Sequence, residues 1–311
     1  MRILVSRIGL QERLRGFRIR HAICQSKRRE VAIEYAYYSH HKCATGWTNS
    51  ILRELCFHLG LRHRTAHGPQ QYGAHGSLQA WVEAYNVEVL AYTNAEIEEA
   101  EALPSHRGFH VVRDPRDVLV SGYFSHKNSH PTNNWPELEA HREALQSLSK
   151  EEGLLKEIEF SRPFLTAMRE WNYDQQHVLE VKTEDLTQDP DTQFRRVLRH
   201  LGLYGSGQAE GLLQKGRQYG NRLIYKFHHE VPLPLPRQIA KERAVHPDVL
   251  DAILEVHRFE KLTGGRSKGE ENPDSHLRKG EPGDWKNHCT DRVLEAFEDA
   301  YGDIVAKLGY E

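Results

Sequence analysis

The sequence predicts an α/β fold: a single domain with a central parallel sheet flanked by helices, and a P-loop-like strand–loop–helix near its start. Two observations carry that expectation. Short apolar runs rich in β-branched and aromatic residues alternate with longer stretches of helical periodicity, the pattern of a parallel sheet with its ligand at the carboxyl ends of the strands. The segment His40-His41-Lys42-Cys43-Ala44-Thr45-Gly46-Trp47 lies where the first apolar run turns into a helix. A turn of that kind presents free backbone N–H groups to an anion.

Residues 1–30 stand apart from the domain expected over 31–311. Arg2, Arg7, Arg13, Arg15, Arg18, Arg20, Lys27, Arg28 and Arg29 face only Glu12 and Glu30. An Arg-rich, acid-poor start is half of a targeting signature, but serine is confined to Ser6 and Ser26, so a frayed basic extension or a mis-assigned start is the preferred reading. Val31 to Ser39 is β-branched and aromatic, hence a strand. Trp47, Ile51, Leu52, Leu55, Cys56 and Leu59 then recur at helical spacing. Val87 to Tyr92 and Gly108 to Val112 are further strands. Arg113-Asp114-Pro115-Arg116-Asp117 caps a helix whose apolar face begins at Val118, with Pro115 suited to the first turn.

Residues 136–176 read as helical and surface-charged, and Val178 to Lys182 as a fourth strand. Asp189-Pro190 opens a helix through Phe194, Val197, Leu198 and Leu201 that Gly202 stops. Val231 to Pro236 is a stiff proline-rich turn, His246 to Leu262 a helix, Gly264 to Pro273 a mobile polar loop, and Asp291 to Leu308 a closing helix.

Composition narrows the function. With 38% hydrophobic and 28% charged residues the 311-residue chain is globular, and its net charge of −2 argues against a nucleic-acid coat. No run of about 18 apolar residues suggests a membrane span. Cys24, Cys43, Cys56 and Cys289 have neither paired nor metal-like spacing, which points to reduced thiols in a cytoplasmic compartment. The 20 histidines include the adjacent pairs His40-His41 and His228-His229, but no zinc-site spacing, so hydrogen-bonded or solvated imidazoles are expected and no metal is.

Three segments carry chemistry. In the first, Lys42 and the N–H groups of Thr45, Gly46, Trp47 and Thr48 could hold a phosphate, although Lys42 precedes Gly46 and the spelling is not a Walker A. A tight turn with a surface lysine is the bland alternative. In the second, Arg113 ends a buried strand and Ser121 follows two helical turns on, an arginine fork and a hydroxyl suited to phosphate oxygens, or an ordinary helix cap. The third, Arg278-Lys279-Gly280-Glu281-Pro282-Gly283-Asp284-Trp285-Lys286, offers two adjacent cations and two glycines.

Taken together and in this order, Lys-x-x-Thr-x-Trp, Arg-x-x-x-Asp-Val-x-Val-Ser and Arg-Lys-Gly-x-x-Gly-Asp-Trp-Lys-Asn resemble the sulfotransferases that use 3′-phosphoadenosine 5′-phosphosulfate (PAPS). Glu184-Asp185-Leu186, with the helix ending at Leu201-Gly202, looks like a further stretch of that family. The resemblance runs from about residue 31 to the C-terminus, and its last motif is the most specific. It implies sulfuryl transfer from PAPS to a hydroxyl or amine of a small or medium acceptor, with 3′-phosphoadenosine 5′-phosphate (PAP) as product.

By that resemblance, Lys42 neutralises charge on the bridging oxygen. Cys43, Ala44, Thr45, Gly46, Trp47 and Thr48 surround the 5′-phosphate, and the Trp47 ring stacks on adenine. Arg113 and Ser121 bind the 3′-phosphate, over which Arg278, Lys279 and Gly280 close.

The chain departs from the family at His41, Cys43 and Ala44, where Pro, Ser and Gly are frequent, and at Thr183, where an adenine-contacting Tyr is common in animal members. Ala44 is expected to avoid positive φ unless Gly46 absorbs the turn. The family's base, a histidine in Lys-Thr-His, has Tyr92-Thr93-Asn94 as its counterpart, and Asn94 cannot take a proton. His126 is preferred as base over His130, His75 and Glu96. Trp81, Tyr85, Tyr123, Phe124, Trp135 and Trp171 are candidates for an acceptor pocket, though most should be core. A P-loop kinase of small molecules and a non-catalytic nucleotide-binding module are the rival readings.

Overall fold

Five strands, all parallel, pair in the order β2-β3-β1-β4-β5 in a computed structural model that describes residues 33–133, 135–205, 211–230 and 238–311. The basic extension and the proline-rich turn expected at 231–236 lie outside the described residues. The elements run β1 (Tyr35–Ser39), α1 (Thr45–Leu59), β2 (His63–Ala66), α2 (Leu78–Ala84), β3 (Val89–Tyr92), β4 (Arg107–Val112), α3 (Pro115–Phe124) and α4 (Pro136–Ser147). They continue with α5 (Lys150–Phe160), α6 (Arg162–Glu170), β5 (Val178–Lys182), α7 (Thr183–Gln188), α8 (Pro190–Leu201), α9 (Gly211–Glu230), α10 (Pro247–Val256) and α11 (Asp291–Tyr301). This is the α/β architecture the sequence predicts.

Alternation along the strands builds two cores. Tyr37, Val89, Ala91, Phe109 and Val111 face α1, α3, α8 and α10 on one side of the sheet. Ala36, Tyr38, Leu90 and Tyr92 face Trp81 and Trp171 on the other. The chain leaves β1 for the β2–β3 edge and returns on its other side as β4, so the loops after β1 and β4 emerge side by side at the carboxyl end of the sheet. That crevice is where a parallel sheet binds its ligands.

Several elements differ from the sequence reading. Strand β2 was not foreseen: at four residues, with His63 and Arg64 in it, it is a short polar edge strand. The stretch 136–176 is three helices, interrupted where Ser149 caps α5 through a capping box with Glu152 and where Ser161 hands over to α6. The helix expected from His246 to Leu262 breaks after Val256 and resumes as a single turn at Phe259–Leu262. The closing helix breaks at Gly302, where φ is +58°.

Residues 264–283, expected to be mobile, are stitched together. The Arg266 guanidinium bonds the carbonyls of Glu270, Leu277 and Arg278 and the Ser275 hydroxyl, while the N–H groups of Gly269 and Asn272 donate to Lys279 and Arg278. No described helix is long and apolar enough to cross a membrane.

Candidate active site

The loop after β1 is folded by the carbonyl of His40, which accepts the N–H of Cys43 at 3.3 Å and the hydroxyl of Thr45 at 2.9 Å. Two residues take left-handed backbone to close it, Lys42 at φ +64° and Ala44 at φ +53°. The expectation that Ala44 would avoid positive φ is corrected: Ala44 takes the left-handed conformation itself as the N-cap of α1, and Gly46 lies inside the helix. For a residue with a Cβ this conformation costs about 1–2 kcal/mol, strain of the kind that persists at ligand sites.

It leaves the N–H groups of Thr45, Gly46 and Trp47 without a backbone partner among the described residues, at the N-terminus of a 15-residue helix. The N–H of Thr48 is already bonded to Ala44 at 3.0 Å, and its side chain is buried. Cys43 is buried as well, its thiol turned towards the carbonyl of His41. Neither Cys43 nor Thr48 reaches the cavity described below, because both pack into the core behind the loop.

Strand β4 runs beside β1, with Val111 opposite Ser39, so Arg113 emerges next to this loop and donates to the carbonyl of Lys42 at 3.2 Å. One turn on, the buried carboxylate of Asp117 accepts the N–H groups of Gly283 and Trp285 at 2.6 and 2.9 Å. The C-terminal motif is thereby tied to α3. Its own carboxylate, Asp284, receives Lys279 Nζ at 2.6 Å, Asn287 at 2.9 Å and His288 at 3.1 Å, together with Arg278. Burial alone would raise the Asp284 pKa, but those donors hold it well below the usual carboxylate range. Arg116 lies over the Trp285 ring at 3.8 Å and Arg278 over Phe124 at 4.5 Å.

These segments open on one cavity of about 1370 Å³. Lys42, Arg113, Ser121, Arg278, Lys279 and Gly280 all line it, as do Ala44, Thr45, Gly46 and Trp47. The Trp47 indole is fixed by a 2.8 Å hydrogen bond to the carbonyl of His257, available because α10 ends just before it. Phe259, in the turn after that break, lines the same cavity, and so does Thr183, whose buried hydroxyl has no partner among the described residues.

Arg278 and Lys279 are paired with Asp284, and Arg113 stands 3.8 Å from Asp117. Among the described residues Lys42 has no such carboxylate. Burial, and after it the guanidinium of Arg113, pushes the Lys42 ammonium down to about 7. A cation so placed gains most from an incoming anion.

A family model described as the sulfotransferase domain matches residues 39–218, more than half of the chain. The chain belongs to the sulfotransferase family. The matched span of this sulfotransferase holds the loop after β1, Arg113 and Ser121; Arg278 and Lys279 lie beyond it. Among solved structures the chain is similar to mouse sulfotransferase SULT7A1 complexed with PAP, at 14% identity and a TM-score of 0.48, covering 88% of this chain and 84% of that one. It is also similar to retinol dehydratase in complex with androsterone and inactive cofactor PAP, at 14% identity and a TM-score of 0.43, covering 89% and 82%. No curated protein matches.

The other end of this sulfotransferase's cavity is rich in histidine. His126, expected as the base, is fully buried in the π-helical turn Ser125–Ser129 and does not line the cavity. Its Nδ1 lies 2.9 Å from Glu157 Oε1 and its Nε2 lies 2.9 Å from Nε2 of His41. His141 Nε2 and the Ser161 hydroxyl complete the carboxylate's contacts at 2.8 and 2.6 Å. Burial opposes ionisation of Glu157, yet His126, His141 and Ser161 together hold its pKa below the ordinary value.

His41, His130, Asn94 and Glu96 line the cavity, whereas His75 does not. Of the aromatic candidates only Trp135 lines it. Trp81, Tyr123 and Trp171 are core, Tyr85 is exposed, and Phe124 lies under Arg278. Sequence reasoning missed His41, Glu157 and Phe259. The signal available for His41 was its position beside Lys42, where the family frequently has Pro.

Proposed function

We propose that this sulfotransferase takes its sulfuryl group from PAPS, passes it to a hydroxyl or amine of a small or medium acceptor, and releases PAP. One observation carries the reading: cations from three distant chain segments meet around a single cavity beside three unpaired helix N–H groups. A donor with phosphate at its 3′ and 5′ ends matches that distribution. The N–H groups of Thr45, Gly46 and Trp47 suit the 5′-phosphate, and Trp47, Phe259 and the Thr183 hydroxyl suit adenine. Arg113, Ser121, Arg278, Lys279 and the backbone of Gly280 suit the 3′-phosphate.

In the transfer, the acceptor oxygen or nitrogen attacks sulfur, the bond from sulfur to the bridging phosphate oxygen breaks, and its electron pair leaves on that oxygen. Lys42 neutralises the developing charge, which is stabilisation rather than covalent chemistry. The acceptor enters at the end bounded by Trp135, Phe164, His130 and His276. The free thiols of Cys43, Cys56 and Cys289 are consistent with a cytoplasmic, reducing compartment.

Titration calorimetry with PAP and ATP separately, followed by PAPS consumption across a panel of phenols, alcohols and amines, tests the assignment. PAP is expected to bind at least tenfold more tightly than ATP. Equal affinity for the two, or tighter ATP binding, overturns the donor.

A further inference from the structure

We propose that His41 is the general base of the transfer, held by His126 and Glu157 in the tautomer that can accept a proton. The proposal rests on the sulfuryl-transfer reading above and adds to it the group that receives the acceptor's proton. His41 lines the cavity immediately beside Lys42. The 2.9 Å contact between its Nε2 and that of His126 requires one nitrogen to donate and the other to accept.

The far side of His126 decides which. There Nδ1 meets the fully buried carboxylate of Glu157, which also contacts His141 Nε2 and accepts the Ser161 hydroxyl. These neighbours hold the Glu157 pKa below the ordinary value, so the group is ionised, and an ionised carboxylate only accepts. His126 therefore carries its proton on Nδ1 and a lone pair on Nε2. His41 in turn donates from Nε2, which leaves the lone pair on Nδ1, the ring nitrogen that has no partner among the described residues. The ring is held by Phe164 stacked on it at 4.5 Å and by Trp135 edge-on at 6.1 Å. The buried carboxylate stands to the two imidazoles as the orienting acid of a catalytic triad stands to its one.

As the acceptor attacks sulfur, its proton passes to Nδ1 of His41 and the bridging electron pair departs towards Lys42. The imidazolium so formed keeps its Nε2–H bond to His126, and its charge is balanced through that ring by Glu157. The proton returns to water after the products leave. The ligating atoms of His126, His141 and Glu157 lie within 4.8 Å of one another. Every one of them is already engaged in the hydrogen bonds that set the tautomer.

Nitrogen-15 NMR of histidine-labelled protein, free and with PAP, reads the tautomers without an acceptor. The expected result is Nε2–H for His41 and Nδ1–H for His126. An Nδ1–H tautomer at His41 overturns the proposal, and so does a stoichiometric metal in the purified protein. With the acceptor turned over by the native protein, His41→Ala is expected to lower kcat by about 10²–10⁴ while PAP affinity stays within about twofold.

Added imidazole should restore part of the His41→Ala activity and none of the His41→Gln activity. His126→Asn, which acts only through His41, should give both His41 tautomers and a reduced kcat at unchanged KM for PAPS. Native turnover in His41→Ala sinks the proposal even where PAP binds. Failure of native protein to bind PAP sinks the donor assignment instead, while the His41 tautomer is still read in the free protein.

Discussion

The two ends of the cavity are built on opposite principles. At the donor end the chain uses its own backbone and fixed cations: three N–H groups of α1, Arg113, Arg278 and Lys279. These guanidinium and ammonium groups are mostly pre-paired, with Asp284 or beside Asp117, so their positions are set before any ligand arrives. At the histidine end the groups are neutral and desolvated, and burial keeps His41 well below the usual imidazole range. Recognition of a polyanion needs charges in position, whereas acceptance of a proton needs a lone pair held in one orientation. Lys42 and His41, adjacent in sequence, mark the boundary between the two.

The sharpest way to break this contrast is at Lys42. Lys42→Ala should reduce kcat by about 10³, the scale of a lost donor to a developing oxyanion, with a smaller loss in PAP affinity. A loss below tenfold would show that the remaining cations do the same work. Arg113→Ala should act the other way round. Under the proposed assignment it removes a charged donor from the 3′-phosphate, and it should weaken PAP binding by about 10- to 100-fold, leaving kcat at saturating PAPS close to native. Calorimetry and saturation kinetics separate the two patterns; a dominant kcat effect in Arg113→Ala would put that residue at the reacting centre.

The same contrast explains what could be read from the sequence. The segments that meet at the cavity, the loop at 40–47, Arg113 with Ser121, and the start of the motif at 278–287, were legible because each carries its signal in local backbone or formal charge. Cys43 and Thr48 misled, since neighbouring positions in a tight loop point to opposite sides and the N–H of each is already bonded within the loop. Glu157 sits in a stretch that reads as a charged surface helix, and nothing local indicates that His126, His141 and Ser161 converge on it. The preference for His126 over His130, His75 and Glu96 failed to anticipate that His126 would be buried behind His41, away from the cavity. The sheet was legible through its apolar runs except for β2, whose polar edge position leaves no such run.

A change of intermediate size tests whether the C-terminal segment belongs to the donor end. Gly280 has φ +73°, and a Cβ there would come within 2.7 Å of the Phe259 ring. Gly280→Ala should displace Phe259 and weaken PAP by about tenfold, in line with the 1–3 kcal/mol typical of overpacking, without changing the His41 tautomer. Unaltered PAP affinity would detach Phe259 from the nucleotide.

The smallest expected effect concerns stability and its pH dependence. In the free protein Lys42 has no carboxylate in ion-pair range among the described residues, and burial followed by Arg113 lowers its pKa to about 7 from the ordinary lysine value of 10.5. Between those limits the unfolded chain binds a proton that the folded one does not, so native stability rises with pH across the window. Below pH 7 both states are charged, and folding bears the whole cost of burying an unpaired ammonium. Lys42→Met should therefore melt a few degrees above the native protein at pH 6, with an advantage that shrinks as pH climbs towards 10. Saturating PAP should reverse the order, because only the native ammonium gains an anion. If scanning calorimetry found Lys42→Met no more stable at pH 6 than at pH 9, the unpaired charge would not be the place where this fold trades stability for chemistry.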